Sequence, residues 1–155
     1  MKTQLEKDLF YMSKAIELAK RAALIGEVPV GAVLVVNDKI LARGWNLRES
    51  KQNPIMHAEI VAILKASKKL ASWRIPSSTL YVTLEPCLMC AGAIYQARIN
   101  RVVFGALDSK AGACGSLYSI HNDSRLNHRF EVLGKIMAHE STSLMKSFFK
   151  SRRSK

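Results

Sequence analysis

The spacing of apolar residues along the chain predicts four helices. In four segments, apolar side chains recur every three or four residues, which is the spacing of one buried helix face. Gly26 stops the first segment and Pro86 opens the third, since glycine favours helix C-terminal ends and proline favours N-terminal ends. The predicted helices cover residues 5–25, 57–70 and 87–97, and the region from Leu144 to Phe149.

Apolar runs rich in β-branched residues predict the strands between these helices. The predicted strands are Val30–Val36, Lys39–Arg43, Thr79–Leu84, Arg101–Phe104 and Phe130–Leu133. The first run is nearly all apolar, so we expect both of its faces to be covered. Asn37 and Asp38 turn this strand back into the second one and predict a hairpin. The third and fourth strands flank a helix, which predicts a parallel pair, whereas residues 106–129 are rich in turn residues.

The order of these elements indicates an α/β fold. The order α-β-β-α-β-α-β predicts a three-layer α-β-α sandwich whose central mixed sheet has about five strands. No internal repeat, linker or domain boundary interrupts residues 1–155. We therefore expect a single domain that ends in a basic C-terminal tail from about residue 150. The apolar pattern of the last helix predicts that at least one of Phe148 and Phe149 lies in the core.

Composition excludes several protein classes and narrows the choice of partner. Hydrophobic residues make up 48% and charged residues 23% of the 155 residues, which excludes collagen-like and mainly disordered chains. No apolar run approaches the roughly 18 residues of a membrane helix, and the N-terminus lacks the apolar stretch of a signal peptide, so we expect a cytoplasmic protein. The 24 Lys and Arg residues against 12 Asp and Glu give a net charge of +12, which favours nucleic acid as the partner. A basic surface that only serves solubility is the alternative.

Two short motifs place metal-binding residue types at the predicted starts of helices. His57-x-Glu59 opens the second helix and Cys87-x-x-Cys90 opens the third. Because residues three apart share a helix face, Cys87 and Cys90 can bind one ion, and His57 can reach the same ion from the open end of its helix. Three protein ligands leave the fourth position of tetrahedral Zn²⁺ free for water, which is the pattern of a catalytic zinc site.

The roles of Glu59 and Cys114 distinguish an enzyme from a structural zinc domain. Two thiolates and one imidazole neutralise Zn²⁺, so Glu59 is not needed for charge balance, and we interpret it as the general acid and base. Cys114 lies in a loop that is remote in sequence, where a buried cysteine is the favoured interpretation and a fourth zinc ligand is the alternative. A site closed by four ligands would indicate a nonenzymatic RNA-binding domain.

These motifs and the segments around them resemble the bacterial tRNA-specific adenosine deaminases, a family of zinc-dependent nucleobase deaminases. The similar segments are Glu27–Ala32, Gly44–Asn46, Thr83–Cys87, Arg101–Gly105 and Asn127–Arg129, so the resemblance covers nearly the whole chain. It implies the cytidine deaminase fold and a homodimer. It also implies hydrolysis of the wobble adenosine of a tRNA anticodon to inosine, with release of ammonia.

The resemblance also assigns roles to individual residues. The histidine and the two cysteines of the motifs become the ligands of one zinc ion per chain, and Glu59 becomes the proton shuttle. Asn46 is placed to hydrogen-bond the flipped-out base of the anticodon stem-loop. From the residues alone, Asn46 is equally consistent with the cap of a turn, and Asp108 either lines the RNA channel or caps a turn. Among the other histidines, His128 is the best candidate for an RNA contact.

The sequence leaves open the size of the substrate and the role of the basic C-terminus. The same zinc core could deaminate free cytosine, guanine or a nucleotide, although a small substrate needs no surface with a charge of +12. The positive charges at the C-terminus either contact phosphate or form a solvated tail. These charges belong to Lys146, Lys150, Arg152, Arg153 and Lys155.

Overall fold

A computed structural model describes residues 1–153 and shows a mixed five-stranded sheet between two layers of helices, which confirms the predicted α/β sandwich. The helices are α1 (Gln4–Leu24), α2 (Ala58–Leu70), α3 (Leu88–Ala97) and α4 (Ala138–Arg153). The strands are β1 (Gly31–Val36), β2 (Lys39–Trp45), β3 (Ser78–Leu84), β4 (Arg101–Ala106) and β5 (Glu131–Leu133). No helix in the described part of the chain is long and apolar enough to cross a membrane. The single domain over residues 1–155 stays a prediction.

The strand directions bring the ends of several elements to one edge of the sheet. The strand order is β2-β1-β3-β4-β5. β1 is antiparallel to both β2 and β3, whereas β3, β4 and β5 are mutually parallel neighbours. The hairpin and the parallel pair that the sequence predicted are therefore confirmed. It follows that β2, β3 and β4 all end at the edge where β1 begins, and open α/β sheets place their sites at this carboxyl edge.

The two helix layers bury opposite faces of the sheet. Ala32 and Leu34 face the layer that contains α2 and α3, whereas Val33 and Val35 face the layer that contains α1. Side chains alternate between the faces of a strand, so a strand covered on both faces must be apolar at every position. The burial of β1 on both faces confirms the prediction made from its unbroken apolar run.

Small residues bring α2 unusually close to the sheet. A side-chain carbon added to Gly44 would lie 2.4 Å from the carbonyl oxygen of Ala58, so only glycine fits beneath the start of α2. Ala58 and Ala62 are fully buried in this contact, whereas Leu64 and Leu70 are 55% and 41% exposed. The amphipathic pattern predicted the helix correctly, but its closest face consists of small residues because they allow the backbone to approach β2.

Helix α4 extends beyond the point where the sequence predicts a tail. The helix continues through Arg153, while residue 155 of the predicted basic tail lies outside the described residues. The guanidinium of Arg152 donates a hydrogen bond to the Gly26 carbonyl oxygen and lies 4.9 Å from the centre of the Phe148 ring. The hydrogen bond to Gly26 binds the last turn of α4 to the segment after α1, whereas the contact with Phe148 lies within α4.

The side chains that α4 contributes to the core differ from the predicted ones. Leu144 and Met145 pack against buried residues of the two core clusters. Phe148 is half-buried, and Phe149 is 41% exposed. Their rings meet edge to face with centroids 5.3 Å apart. The prediction that one of these phenylalanines is a core residue is therefore wrong, because the contact with the sheet lies one turn earlier in the helix.

Candidate active site

A pocket of about 170 Å³ opens at the carboxyl edge of the sheet. Its walls come from the segment before β1, from the segments that follow β2, β3 and β4, and from the first residues of α2 and α3. Val28, Val30 and Leu84 supply apolar lining, and His57 and Glu59 supply polar groups. The topology of the sheet therefore gathers residues that are far apart in sequence around one cavity.

Three of the predicted site residues form a compact cluster at two helix starts. His57 and Cys87 are the N-cap residues of α2 and α3, and Cys90 lies in the first turn of α3. His57 Nδ1 lies 3.6 Å from Cys87 Sγ and 3.5 Å from Cys90 Sγ. A tetrahedral zinc ion with Zn–S bonds of about 2.3 Å and a Zn–N bond of about 2.0 Å requires such N···S separations to be about 3.5 Å. The donor set and its spacing therefore fit zinc.

The protonation states of the cluster depend strongly on the contacts among its members. A hydrogen bond with Cys90 is the main cause that lowers the pKa of the Cys87 thiol to about 4, and His57 adds to this effect. The same contact with Cys87, together with burial, raises the pKa of the Cys90 thiol. The hydrogen bond with Cys87 raises the pKa of His57. The cluster thus holds one stabilised thiolate next to protons that a bound cation would displace.

Glu59 lies in the first turn of α2, and its side chain forms part of the pocket wall. The residue is only 4% exposed. Burial raises the pKa of the Glu59 carboxyl to about 7. Within residues 1–153, the group of side chains spaced closely enough to hold an ion consists of His57, Cys87 and Cys90, without Glu59. Its carboxyl group is therefore available for proton transfer beside the cluster.

Cys114 is placed outside this metal-binding cluster. It is 4% exposed, and its backbone N–H donates a hydrogen bond to Glu85 at 3.1 Å. Burial raises the pKa of its thiol to about 12, so the group stays protonated. The structure supports the interpretation of Cys114 as a small buried side chain, and the cluster within residues 1–153 consists of three side chains that could bind an ion.

Asn46 both caps a turn and lines the pocket, so the two interpretations of this residue are compatible. Its Nδ2 donates to the Val28 carbonyl oxygen at 3.3 Å, and its Oδ1 accepts the N–H of Arg48 at 3.1 Å. These two partners fix the orientation of the amide. One N–H and one oxygen lone pair remain available, because a primary amide has two of each.

Asp108 combines the same two properties. Its Oδ1 accepts the backbone N–H groups of Lys110 and Ala111 at 3.0 Å and 3.1 Å, so the residue caps the turn after β4 while it lines the pocket. His128 has a different role, since its Nε2 lies 2.7 Å from the Ile99 carbonyl oxygen. That contact ties residue 128 to the segment that follows α3.

Two buried glutamates outside the metal-binding motifs, Glu27 and Glu85, hold the loops of the site. Glu27 is 1% exposed and accepts hydrogen bonds from the N–H groups of Glu49 and Ser50 in the loop after β2. Glu85 is also 1% exposed and accepts hydrogen bonds from the loop after β4. Burial alone would raise the pKa of Glu85, but these hydrogen bonds hold it below its ordinary value. The signal in the sequence is a lone acidic residue between an apolar strand and Pro86.

The sequence of this chain is similar to a known family and to individual proteins over most of its length. A family model of the cytidine and deoxycytidylate deaminase zinc-binding region matches residues 5–106. The tRNA-specific adenosine deaminase of Bacillus subtilis is 48% identical over 149 residues, which are 96% of this chain and 92% of that protein. The tRNA-specific adenosine deaminase of Haemophilus influenzae is 46% identical, over 98% of this chain and 88% of that protein.

Solved structures show similarity over different shares of the chain. One comes from a study of A-to-I editing by tRNA:A34 deaminases at the wobble position of transfer RNA. It superposes with a TM-score of 0.84 at 38% identity, covering 87% of this chain and 98% of that chain. Guanine deaminase from Bacillus subtilis superposes with a TM-score of 0.62 at 37% identity, covering 69% of each chain.

Proposed function

We propose a function from the premise that this chain belongs to the zinc-binding cytidine and deoxycytidylate deaminase family and, within it, to the bacterial tRNA-specific adenosine deaminases. The proposed reaction is hydrolysis of the wobble adenosine of a tRNA anticodon to inosine, with release of ammonia. The proposed site in each chain comprises one zinc ion with His57, Cys87 and Cys90 as ligands, Glu59 as the proton shuttle, and Asn46 as a contact for the base.

The extent of the similarity is the observation that favours tRNA over a free base. The tRNA-specific enzyme of Bacillus subtilis is 48% identical over 96% of this chain, so that alignment extends past residue 106, where the family model ends. By contrast, guanine deaminase from Bacillus subtilis is 37% identical over only 69% of this chain, and guanine deaminase from Nitrosomonas europaea covers 96% of it at only 17% identity. Similarity to the tRNA-specific enzymes is thus high over nearly the whole chain, which favours tRNA as the substrate.

The proposed chemistry is a hydrolysis at C6 of adenine. Zinc, when bound, supplies Lewis acidity that makes water a nucleophile at neutral pH. One water molecule adds its oxygen to C6, and the bond from C6 to the exocyclic nitrogen breaks. Glu59 accepts a proton from the water and donates one to the departing nitrogen, which leaves as ammonia. The buried position of Glu59 beside the cluster supports this double role.

The remaining pocket walls can bind and orient the base. The free amide N–H and oxygen lone pair of Asn46 can hydrogen-bond one edge of a purine, because its other groups are already satisfied. Val28, Val30 and Leu84 offer apolar surface to the ring faces and exclude bulk solvent from the pocket. A base must leave its stack to reach such a pocket, which single-stranded anticodon loops permit at low cost.

A basic groove next to the pocket supports an RNA substrate. Lys110, Lys146 and Arg153 line this groove together with Met145 and Phe149, and its volume is about 430 Å³. Lys110 lies in the same turn as the pocket residues 108 and 111, so one turn contributes to both the groove and the pocket. Cationic side chains beside an exposed aromatic ring suit phosphates and unstacked bases. We propose that the RNA strand next to the target base follows this groove.

An assay with defined substrates tests the proposed reaction. We expect an anticodon stem-loop with a wobble adenosine to yield inosine at that position, whereas free adenine, guanine and cytidine stay unchanged at the same enzyme concentration. A stem-loop with cytidine at the same position is the matched control. Because phosphate contacts release counterions, the KM for the stem-loop should also rise steeply with salt concentration.

Two experimental outcomes would contradict different parts of this proposal. Turnover of a free base without any turnover of the stem-loop would favour the small-molecule deaminase. A KM that stays constant as salt rises would remove the role of the basic groove while leaving the reaction in place. If inosine forms in tRNA, the enzyme acts where tRNA is found, which is why we propose a cytoplasmic location.

The composition of α3 supports the proposed homodimer. This ten-residue helix carries no charged side chain, yet only Cys90, Ala91, Ile94 and Ala97 are buried in a single chain. Leu88, on its outward side, is 51% exposed. A helix that is apolar on all sides is normally buried on all sides. We therefore propose that a second copy of the chain covers the outward face of α3.

Gly92 offers a clean test of this dimer. A side-chain carbon added there meets nothing within 4 Å in the single chain, so Gly92→Glu should leave the fold of one chain intact. Sedimentation at micromolar concentration should give twice the 17.3 kDa chain mass for the wild type and for the exposed control Ser143→Glu. Gly92→Glu should shift the protein to a monomer, because the new charge would be buried in the interface. A monomeric wild type would contradict the proposal.

A further inference from the structure

Glu85 makes four hydrogen bonds to the loop after β4, and all four donors are uncharged. Its Oε1 accepts the backbone N–H of Asp108 at 3.0 Å and the hydroxyl of Ser116. Its Oε2 accepts the backbone N–H groups of Cys114 and Ser116 at 3.1 Å and 3.0 Å. A buried carboxylate is costly unless hydrogen bonds satisfy both of its oxygens, so this loop and this side chain depend on each other.

The loop that Glu85 holds forms one wall of the pocket. Asp108 and Ala111 line the cavity, and the turn between them is closed by the Asp108 side chain itself. The turn is therefore tied together by its own hydrogen bonds, and Glu85 contacts it at Asp108. The backbone of Ala113 also pairs with the carbonyl oxygen of Pro86 at 2.8 Å, so the far side of the turn is bound to the segment before α3.

Gly112 shows how closely the loop fits around the carboxylate. A side-chain carbon at position 112 would lie 2.4 Å from two atoms of the Glu85 carboxyl group. Only glycine therefore allows the backbone to wrap around this group at that point. The side chain of Glu85 fills the space inside the loop as well as satisfying its N–H groups.

We infer that Glu85 is a positioning residue, which sets the pocket wall formed by Asp108 and Ala111 and thereby the affinity for the substrate. This inference rests on the proposed deaminase function for its kinetic consequence, whereas its structural consequence can be measured without any substrate. Glu59 and the metal-binding cluster are held by α2 and α3. The wall can thus loosen while the reacting groups stay in place.

Glutamine at position 85 isolates the effect, because it keeps the size of the side chain and loses acceptors. The hydroxyl of Ser116 can rotate to accept a hydrogen bond, so the new NH₂ group is best placed on the Oε1 side. There the new NH₂ group would face the backbone N–H of Asp108. Both groups are hydrogen-bond donors, so the hydrogen bond at Asp108 would be lost. We therefore expect Glu85→Gln to release the turn at Asp108 while the contacts of Cys114 and Ser116 with the other oxygen persist.

The experiment combines limited proteolysis with steady-state kinetics. Lys110 is an exposed residue of the turn, so trypsin cleavage after Lys110 under native conditions should be at least about tenfold faster in Glu85→Gln than in the wild type. With the stem-loop substrate, KM should rise about tenfold or more, while kcat stays within about threefold and zinc per chain is unchanged. Glu131→Gln, on the exposed strand β5, is the matched control and should change none of these values.

A milder variant keeps the test informative if Glu85→Gln folds poorly. Ser116→Ala removes one of the four hydrogen bonds and retains the backbone donors, so it should shift proteolysis and KM in the same direction by a smaller factor. An activity loss that follows only the unfolded fraction, with KM unchanged, would overturn the inference and leave Glu85 with a purely structural role. Slow cleavage after Lys110 in both variants would overturn it as well. A wild type without deaminase activity would contradict the proposed function, but the proteolysis result would still decide whether Glu85 holds the turn.

Discussion

Replacing Glu59 with alanine should lower kcat by about 10⁴, the upper end of the range for a general acid or base, because in the proposed reaction one carboxyl performs both proton transfers. The water loses the group that accepts its proton, and the departing nitrogen loses the group that protonates it. Bound zinc, the melting temperature and the affinity for the stem-loop should change little, since Glu59 is not part of the metal-binding cluster. Zinc per chain, thermal unfolding and single-turnover rates measure these quantities separately.

Two further variants sharpen this prediction. Glu59→Gln keeps the size of the side chain in its buried position but cannot accept a proton, so it should be as inactive as Glu59→Ala. Glu17→Gln, on the exposed side of α1, is the matched control and should retain full activity. If Glu59→Gln kept most of the wild-type rate, another group would have to move the proton, and the assignment of Glu59 would be wrong.

The ends of α1 and α3 could be predicted from the sequence, but the extent of α4, which begins at Ala138 instead of Leu144, and the depth of burial could not. Gly26 and Pro86 mark helix ends through backbone preferences that act locally, so α1 and α3 end and begin within about a residue of the predicted positions. Leu5 belongs to the predicted apolar stripe of α1 and is nevertheless 56% exposed. A periodic pattern indicates which face of a helix is apolar, whereas the extent of the sheet decides how much of that face is covered.

In the candidate site, too, contacts between residues close in sequence could be predicted, whereas contacts between residues distant in sequence could not. Each metal-binding motif lies within a few residues at one helix start, so the sequence spacing alone indicates how its members converge. The partners of Glu85 follow it by 23 to 31 positions, in a loop without periodicity. Such contacts depend on the path of the irregular loop after β4, which apolar spacing does not encode. Asn46 lies between these cases, since its turn is local and its place in the pocket depends on the sheet.

Removing one ligand of the cluster should empty the metal site. We expect His57→Ala and Cys87→Ala to reduce zinc from about one ion per chain to near zero. Each variant keeps only two protein ligands, whereas a catalytic zinc site normally has three protein ligands and a water molecule. Deaminase activity should be lost together with the metal. Zinc content after gel filtration, measured by elemental analysis per mole of protein, tests this directly.

Cys114→Ala is the decisive control for the number of ligands. Cys114 is a buried cysteine in the same part of the molecule, and its Sγ is not in the group of ligand atoms that His57, Cys87 and Cys90 form within residues 1–153. This variant should therefore retain zinc and activity, and lose only the packing of one small side chain. If Cys114→Ala lost its zinc, the site would be closed by four protein ligands, no position would remain for water, and the chain would carry a structural zinc ion instead of a catalytic one.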